Sequence, residues 1–445
     1  MESLRVLILG LNYAPEPTGI APYTAGVARF LDGAGHDVRV VTGFPHYPGW
    51  SVHEGYRGMR LRERDGGVRV LRVRHHVPRD PTGLGRIGME ATYAIQAAAA
   101  RGPRPDVVIA VSPALFSVAA ALRWRSRGRT AVGAIVQDLY GRGIAETGAL
   151  GGRGAQAAER LERHLLGRVD GVVAIHDSFR RSLVAMGVDP SVIADIKNWT
   201  HTGPPTGDPA ALRHALGWRD DEVVAMHAGN MGSKQGLENL VEAARIADQR
   251  RLPVRFVLLG GGHQQAHLER LGAGVERLQF LRPLPDGRFE TALTAADVLV
   301  LNERPQVAEM CVPSKLTSYF AAGRPVLAAT SATSTAAHEV RASGGGLVVA
   351  PGRPEDLLRA AIDLARDGAR ASAMGQHGQV YAAATLSEAA ARDAYVAWVD
   401  DLARRRRPAR SPAGPEDGVP IPSARTPTLG GRVGAGVAAR RTGSS

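Results

Sequence analysis

Short apolar runs rich in β-branched residues alternate with stretches of helical spacing along this chain, and they do so in two series. The first series comprises Leu4–Gly10, Asp37–Thr42, Val68–Val73, Asp106–Val111, Thr130–Val136, Gly171–Ile175 and Val192–Ile196. Several of these runs, such as Leu4–Gly10 and Asp106–Val111, are apolar at nearly successive positions, the signature of strands buried on both faces rather than strands with one wet face. Strand and helix in alternation give a parallel sheet covered on both sides. The second series falls at 223–228, 254–259, 275–280, 297–301, 325–329 and 346–349, after Lys197-Asn-Trp-Thr-His-Thr-Gly-Pro-Pro205, which has the turn chemistry of a linker. The fold class is therefore α/β, with two doubly wound, Rossmann-like domains facing a cleft. The expected segments are a first domain at 1–200, a linker at 201–220, a second domain at 221–384, a last helix at 385–403 and a disordered tail at 404–445.

The most chemically specific stretch is Ala228 to Leu237, read as strand, glycine-rich turn and helix. Gly229, Gly232 and Gly236 let the backbone turn tightly and bring its amides close to a ligand, ahead of a helix whose first N–H groups are unpaired. That pattern suits phosphate. Of the 55 basic residues only three are lysine, Lys197, Lys234 and Lys315. In a chain that otherwise uses arginine, a lysine kept in a turn points to a need for a compact ammonium, with retention by chance as the bland alternative. Lys315 belongs to a second such stretch, in which Pro313 suits the first helical position, Ser314 and Lys315 lie in the first turn, and Gly323 with Pro325 ends the helix. Asn302, Glu303 and Glu309 follow the strand before it, where carboxylates can hold sugar hydroxyls.

The first domain offers different chemistry. Its opening turn is long and proline-containing, not G-x-G-x-x-G, which disfavours a nicotinamide site. The loop Phe44-Pro-His-Tyr-Pro-Gly-Trp50 is aromatic and stiffened by prolines, at an edge where open α/β sheets bind ligands. Arg72, Arg74, His75, His76, Arg79 and Arg86 precede or open a helix that carries Met89, Tyr93 and Ile95, a combination suited to a phosphate-bearing acceptor near a membrane or to a solvated basic loop. Asp138, after the strand ending at Val136, can orient a hydroxyl, accept a proton or cap the next segment.

Charge and cysteine content narrow the classes. The net charge is +12, and the segment from Arg404 onward holds nine arginines against Glu416 and Asp417, in a Pro/Gly/Ala-rich context that cannot build a core. Most of the basic excess therefore sits in the tail, and no zinc spacing or aromatic RNA-binding segment supports nucleic acid as a partner. The single cysteine, Cys311, excludes an internal disulfide. Met1–Gly10 is too short for a signal peptide, and the longest apolar run, Val107–Leu122, is divided by Pro113, so the expectation is a cytoplasmic protein without a membrane span.

Taken together, Leu11-Asn-Tyr-Ala-Pro-Glu-Pro-Thr-Gly19, Pro45-His-Tyr-Pro-Gly-Trp50, Val136-Gln-Asp138, Asn198-Trp199, Gly229-Asn-Met-Gly-Ser-Lys-Gln-Gly236, Pro313-Ser-Lys-Leu316 and Gly323-Arg-Pro-Val326 resemble glycosyltransferase family 4, in its colanic-acid or exopolysaccharide branch. The resemblance runs from about residue 4 to about 400. It implies a GT-B fold whose C-terminal domain holds a nucleotide-sugar donor and whose N-terminal domain holds a saccharide acceptor linked to a lipid pyrophosphate at the inner face of the membrane. Transfer would retain anomeric configuration, without metal or any cofactor beyond the nucleotide sugar as co-substrate. Carried onto this chain, the donor residues are Gly229, Asn230, Gly232, Gln235, Gly236, Glu309, Ser314 and Lys315. The acceptor residues are Thr18, Gly19, His46, Tyr47 and Trp50, and the catalytic set is Lys315, Lys234 and Asp138. The family's usual arginine and lysine fall by spacing on Asn230 and Gln235, and its acidic pair on Met310 and Ser318, so Lys315 takes over phosphate contact and Glu309 covers one lost acid. The same resemblance implies that the last helix crosses back to the first domain. Two alternatives stand beside it: a sugar-nucleotide epimerase of the same shape, and a non-catalytic sugar-nucleotide-binding assembly partner.

Overall fold

A computed structural model of the chain describes residues 3–17, 19–47, 49–79, 83–125, 129–139, 151–200, 203–285, 287–305 and 315–406. The first half runs β1 (Arg5–Leu9), α1 (Ala21–Gly33), β2 (Asp37–Gly43), β3 (Arg60–Asp65), β4 (Val68–Val73), α2 (Gly83–Ala98), β5 (Val107–Ser112), α3 (Leu115–Arg125), β6 (Ala131–Val136), α4 (Gly151–Leu166), β7 (Gly171–Ala174), α5 (Asp177–Ala185) and β8 (Ile193–Asp195). Its eight strands lie in the order β3-β4-β2-β1-β5-β6-β7-β8. Only the β3–β4 pair is antiparallel.

Period-two alternation sends successive side chains to opposite faces. In β1, Leu7 and Leu9 join one apolar cluster while Val6 and Ile8 join another. Both clusters are dry, which explains why the run reads as uniformly apolar. Strand β3 is the exception, Arg-Leu-Arg-Glu-Arg-Asp, half-buried on one face only, as befits an edge.

The second half runs α6 (Pro209–Ala215), β9 (Val223–Asn230), α7 (Glu238–Gln249), β10 (Val254–Gly261), α8 (Gln265–Leu271), β11 (Leu278–Leu281), α9 (Arg288–Ala295), β12 (Val298–Asn302), α10 (Lys315–Ala321), β13 (Val326–Ala329), α11 (Thr335–Ser343), β14 (Gly346–Val349), α12 (Pro354–Arg366), α13 (Gly368–Thr385) and α14 (Glu388–Arg406). Six parallel strands lie in the order β11-β10-β9-β12-β13-β14.

Three boundaries differ from the sequence reading. The expected linker at 201–220 contains helix α6, capped by Asp208, and both Leu212 and Trp218 are buried in the second core. Helix α13 was not expected at all. It tolerates glycine because Gly375 and Gly378 pack against Gly323 and Phe320, where a Cβ would collide. The last helix continues through Arg406, with Arg405 paired to Asp401 and Arg406 to Asp170, so residues 404–406 are helical where the tail was expected. Residues 407–445, with the remaining tail arginines, lie outside the described residues.

Helix α14 belongs by sequence to the second half, yet its Tyr395, Trp398, Val399 and Leu402 complete the first core. Room for it is made by glycine: a Cβ on Gly133 of β6 would stand 2.6 Å from the Trp398 ring, and one on Gly171 of β7 would stand 2.7 Å from Leu402. A second tie is a buried polar cluster. Glu339 of α11 takes a hydrogen bond from Lys197 Nζ at 2.8 Å and one from Tyr381 at 2.7 Å, and His176 Nε2 lies 2.8 Å away. No helix among the described residues is long and apolar enough to cross a membrane.

Candidate active site

Strand order reverses between β1 and β5 in the first sheet and between β9 and β12 in the second. At a reversal the connections leave in opposite directions and open a crevice beyond the carboxyl ends of the strands. The residues expected from sequence gather at these two places.

At the first reversal lies a cavity of about 300 Å³, lined among others by Asn12, Gly19, His46, Tyr47, Trp50 and Asp138. Thr18 lies outside the described residues. A single buried carboxylate organises the loops. Glu16 accepts the backbone N–H groups of His46 (2.8 Å) and Tyr47 (2.9 Å) on one oxygen and the Asn12 amide (2.9 Å) on the other. It thereby fixes the loop after β1 to the loop after β2. Gly19 has φ +73°, and a Cβ there would stand 3.3 Å from the Tyr47 ring, so glycine meets both constraints. The His46 ring is buried, within 3.0 Å of Phe44 O and stacked edgewise on His75 at 4.8 Å, and forms a wall of the cavity.

Asp138 sits at the end of the cavity. Its carboxylate accepts the Leu139 N–H at 2.9 Å. Burial raises its pKa, opposed by that N–H and by the charges of Arg86 and of Lys234 from the second half. The basic group expected near α2 divides. Arg72 is buried and bound to Glu63 (2.6 Å), so it serves the core rather than a ligand; His75 is buried and driven down to about 3 by burial and by His46. Arg86 does line the cavity, beside Glu90, a residue that sequence reasoning missed. Glu90 is buried, lies 3.3 Å from Arg86 and accepts the Leu115 N–H at 3.2 Å. Burial pushes its carboxyl up to about 7, against the opposing pull of Arg86. On an amphipathic helix Glu90 reads as a solvent-facing residue, and only the packing of α3 against α2 reveals otherwise.

At the second reversal, β9 is longer than expected. Gly229 and Asn230 are strand residues, in register with Gly260 and Gly261 of β10. The turn proper is a 3₁₀ segment, Ser233–Gln235, closed by Gly236 in the left-handed region (φ +54°). Gly232 N–H donates to Gln235 Oε1 (3.1 Å) and Gln235 N–H to Gly232 O (3.2 Å), so two amides expected to face a ligand close the turn on itself. Asn302, at the end of β12, donates to Gln235 O (2.7 Å) and Gly236 O (3.0 Å) and holds the turn against the strand. Lys234 is exposed at the apex.

Lys315 opens α10 and lies against Gly229, whose absent side chain leaves it room. The helix is fixed to β9 by Tyr319, which accepts the Ala228 N–H at 2.8 Å and donates to Ala228 O at 3.1 Å. Charge from Lys315 is felt by the buried His227 and the half-buried Glu303. His227 is pushed down to about 3 by burial and then by Lys315, so it is neutral. Glu303, raised by burial, is drawn down by the Thr330 hydroxyl and by Lys315. Glu309 and Ser314 lie outside the described residues, as does Cys311.

Several motif residues prove architectural. The side-chain amides of Gln137 and Asn198 bond each other at 2.8 and 3.0 Å, and Trp199 fills the space left by Gly26.

Comparison with known proteins gives two family matches: a glycosyl transferase 4-like domain over residues 18–199 and a glycosyl transferases group 1 domain over residues 222–367. The putative colanic acid biosynthesis glycosyl transferase WcaI of Escherichia coli K12 is 33% identical over 338 residues, covering 72% of this chain and 82% of that protein. A GDP-mannose-dependent monoacylated alpha-(1-6)-phosphatidylinositol monomannoside mannosyltransferase of Corynebacterium glutamicum is 28% identical over 43% of this chain and 50% of its own length. Among solved structures, Anabaena HepE in complex with UDP-glucose superposes with a TM-score of 0.62 at 16% identity, over 89% of this chain and all of that one.

Proposed function

The chain belongs to the GT-B glycosyltransferases of family 4, in the colanic-acid type branch, and from that membership we propose that it moves a sugar from a nucleotide-sugar donor to a saccharide carried on a lipid pyrophosphate, with retention of configuration. The donor diphosphate lies at the second reversal, against Lys315, Lys234 and the turn that ends at Gly236. The acceptor saccharide occupies the 300 Å³ cavity of the first half. The observation that carries this reading is geometric: a crevice stands at each of the two strand-order reversals, the first with the 300 Å³ cavity and the second with Lys315 packed against Gly229.

In the reaction, the bond from the anomeric carbon to the β-phosphate oxygen breaks and the nucleoside diphosphate departs. The acceptor oxygen bonds to that carbon on the face the diphosphate leaves, and the hydroxyl proton passes to the departing phosphate oxygen. The barrier is then dominated by charge growing on the leaving group, so fixed cations nearby are the principal aid. Lys315 and Lys234 supply them. Asp138, held by the Leu139 N–H and under the charges of Arg86 and Lys234, orients the acceptor hydroxyl. The names of the relatives favour a sugar nucleotide and a lipid-bound acceptor: HepE is a complex with UDP-glucose, and the corynebacterial enzyme acts on a phosphatidylinositol mannoside.

The test is a panel of UDP-, GDP- and ADP-sugars incubated with the full chain and a membrane lipid extract. Release of one nucleoside diphosphate that depends on the extract, with a product whose anomeric configuration by NMR matches that of the donor, is the expected result. Release of none, or an inverted product, would contradict the reading.

A further inference from the structure

A second groove, of about 730 Å³, opens beside the acceptor cavity. The two share Trp50, and His46 of one is stacked on His75 of the other at 4.8 Å, so a thin aromatic wall separates them. Its lining is unusual. Seven large apolar side chains are exposed among the described residues, and three of them, Val52 (39% exposed), Met59 (57%) and Ile95 (69%), meet in this one groove. Scattered apolar residues need no explanation, but a concentrated patch marks a binding surface. The polar part is one-sided: the guanidinium of Arg74 and the imidazole of His76 line the groove, and no carboxylate does. Trp50, the shared wall, has φ +51°, a conformation that a bulky residue keeps only where its surroundings demand it.

We propose that this groove binds the hydrocarbon chain of the acceptor, an amphiphile whose phosphate lies at Arg74 and whose saccharide reaches past Trp50 into the neighbouring cavity. The inference rests on the acceptor reading above and deepens it. An apolar trough, a cation at its rim and a sugar-sized cavity beyond form the order of parts in a lipid-linked saccharide. The occupant is a single amphiphile and not the surface of a bilayer, because the groove adjoins the sugar-sized cavity across Trp50 and carries a cation at its side.

The test titrates farnesyl pyrophosphate, inorganic pyrophosphate and phosphatidylglycerol vesicles into the full chain and into a Met59→Glu, Ile95→Glu double variant. Both residues are exposed, so folding is not at risk, and the thermal shift given by a nucleoside diphosphate serves as an independent check of the donor half. Farnesyl pyrophosphate is expected to bind the wild type at least ~10-fold more tightly than inorganic pyrophosphate, and the variant to lose that gain while its nucleotide response is unchanged. Equal affinity for the two pyrophosphates, or undiminished farnesyl binding in the variant, would overturn the proposal. So would an equal loss of affinity for plain vesicles, which would make the patch a bilayer contact. A missing nucleotide response in the wild type counts against the donor reading alone, and the farnesyl comparison still decides the groove.

Discussion

Lys315 lies across the backbone of Gly229, so that a methyl group on that glycine would stand 2.8 Å from the lysine Cε and 3.5 Å from Nζ. Gly229 also has φ +124°, which disfavours any side chain. Gly229→Ala therefore displaces the ammonium and strains the end of β9 together. Turnover of the nucleotide sugar should fall at least ~10-fold, while stability falls by about 1–3 kcal/mol, the range for strain at a special backbone position. Steady-state kinetics beside a thermal melt separates the two effects.

Glu90 gives a pH dependence. Its folded pKa of about 7 lies above the ordinary carboxylate value, because burial disfavours the charge. The folded state thus holds the proton more tightly than the unfolded state, and stability from this group is present below about pH 4.5 and lost as pH rises through 7. Glu90→Gln keeps an acceptor for the Leu115 N–H and removes the titration. At pH 8 the variant should be more stable by about 1–2 kcal/mol, a difference that vanishes below pH 5.

The Glu339 cluster predicts the opposite sign. Burial alone would raise this carboxyl, but the hydrogen bonds from His176, Lys197 and Tyr381 outweigh burial and hold it at about 2. Its stabilisation is complete above the unfolded value and is lost as pH falls through 2. Glu339→Gln leaves Lys197 without its charge partner. It should cost about 2–4 kcal/mol between pH 5 and 8, with the gap to wild type closing between pH 4.5 and 2. Melting curves across that range read it directly.

Trp398 fills the space above Gly133 and Gly171. Trp398→Ala should cost about 3–5 kcal/mol by leaving a cavity in the first core. Gly133→Ala should be destabilising by overpacking at the same contact. A melt of either variant with a smaller loss than about 1 kcal/mol would show that α14 is dispensable to the first sheet.

Much of the fold was legible because doubly buried strands leave an unmistakable apolar run, as in Val107–Ser112. What escaped did so for local reasons. Strand β3 alternates charge with only partial burial, so its pairing with β4 is its sole evidence of being a strand. Helix α13 carries glycines that resemble breaks until Phe320 is seen against them. At the site, residues on strand ends and turns, Asp138, Gly229 and Lys234, were readable from position. Glu90 was not, because its burial depends on α3, which follows it in sequence. Arg72 looked available from composition but is buried and bound to Glu63.

The most direct measurement is the thermal shift of the wild type and of Lys315→Ala with UDP, GDP and ADP. One diphosphate should stabilise the wild type, by roughly 2.7 kcal/mol at a hundred times its dissociation constant, and the variant should lose most of that gain. If no diphosphate stabilises the wild type, or if Lys315→Ala responds as strongly as wild type, the donor site is not at the junction of β9 and β12.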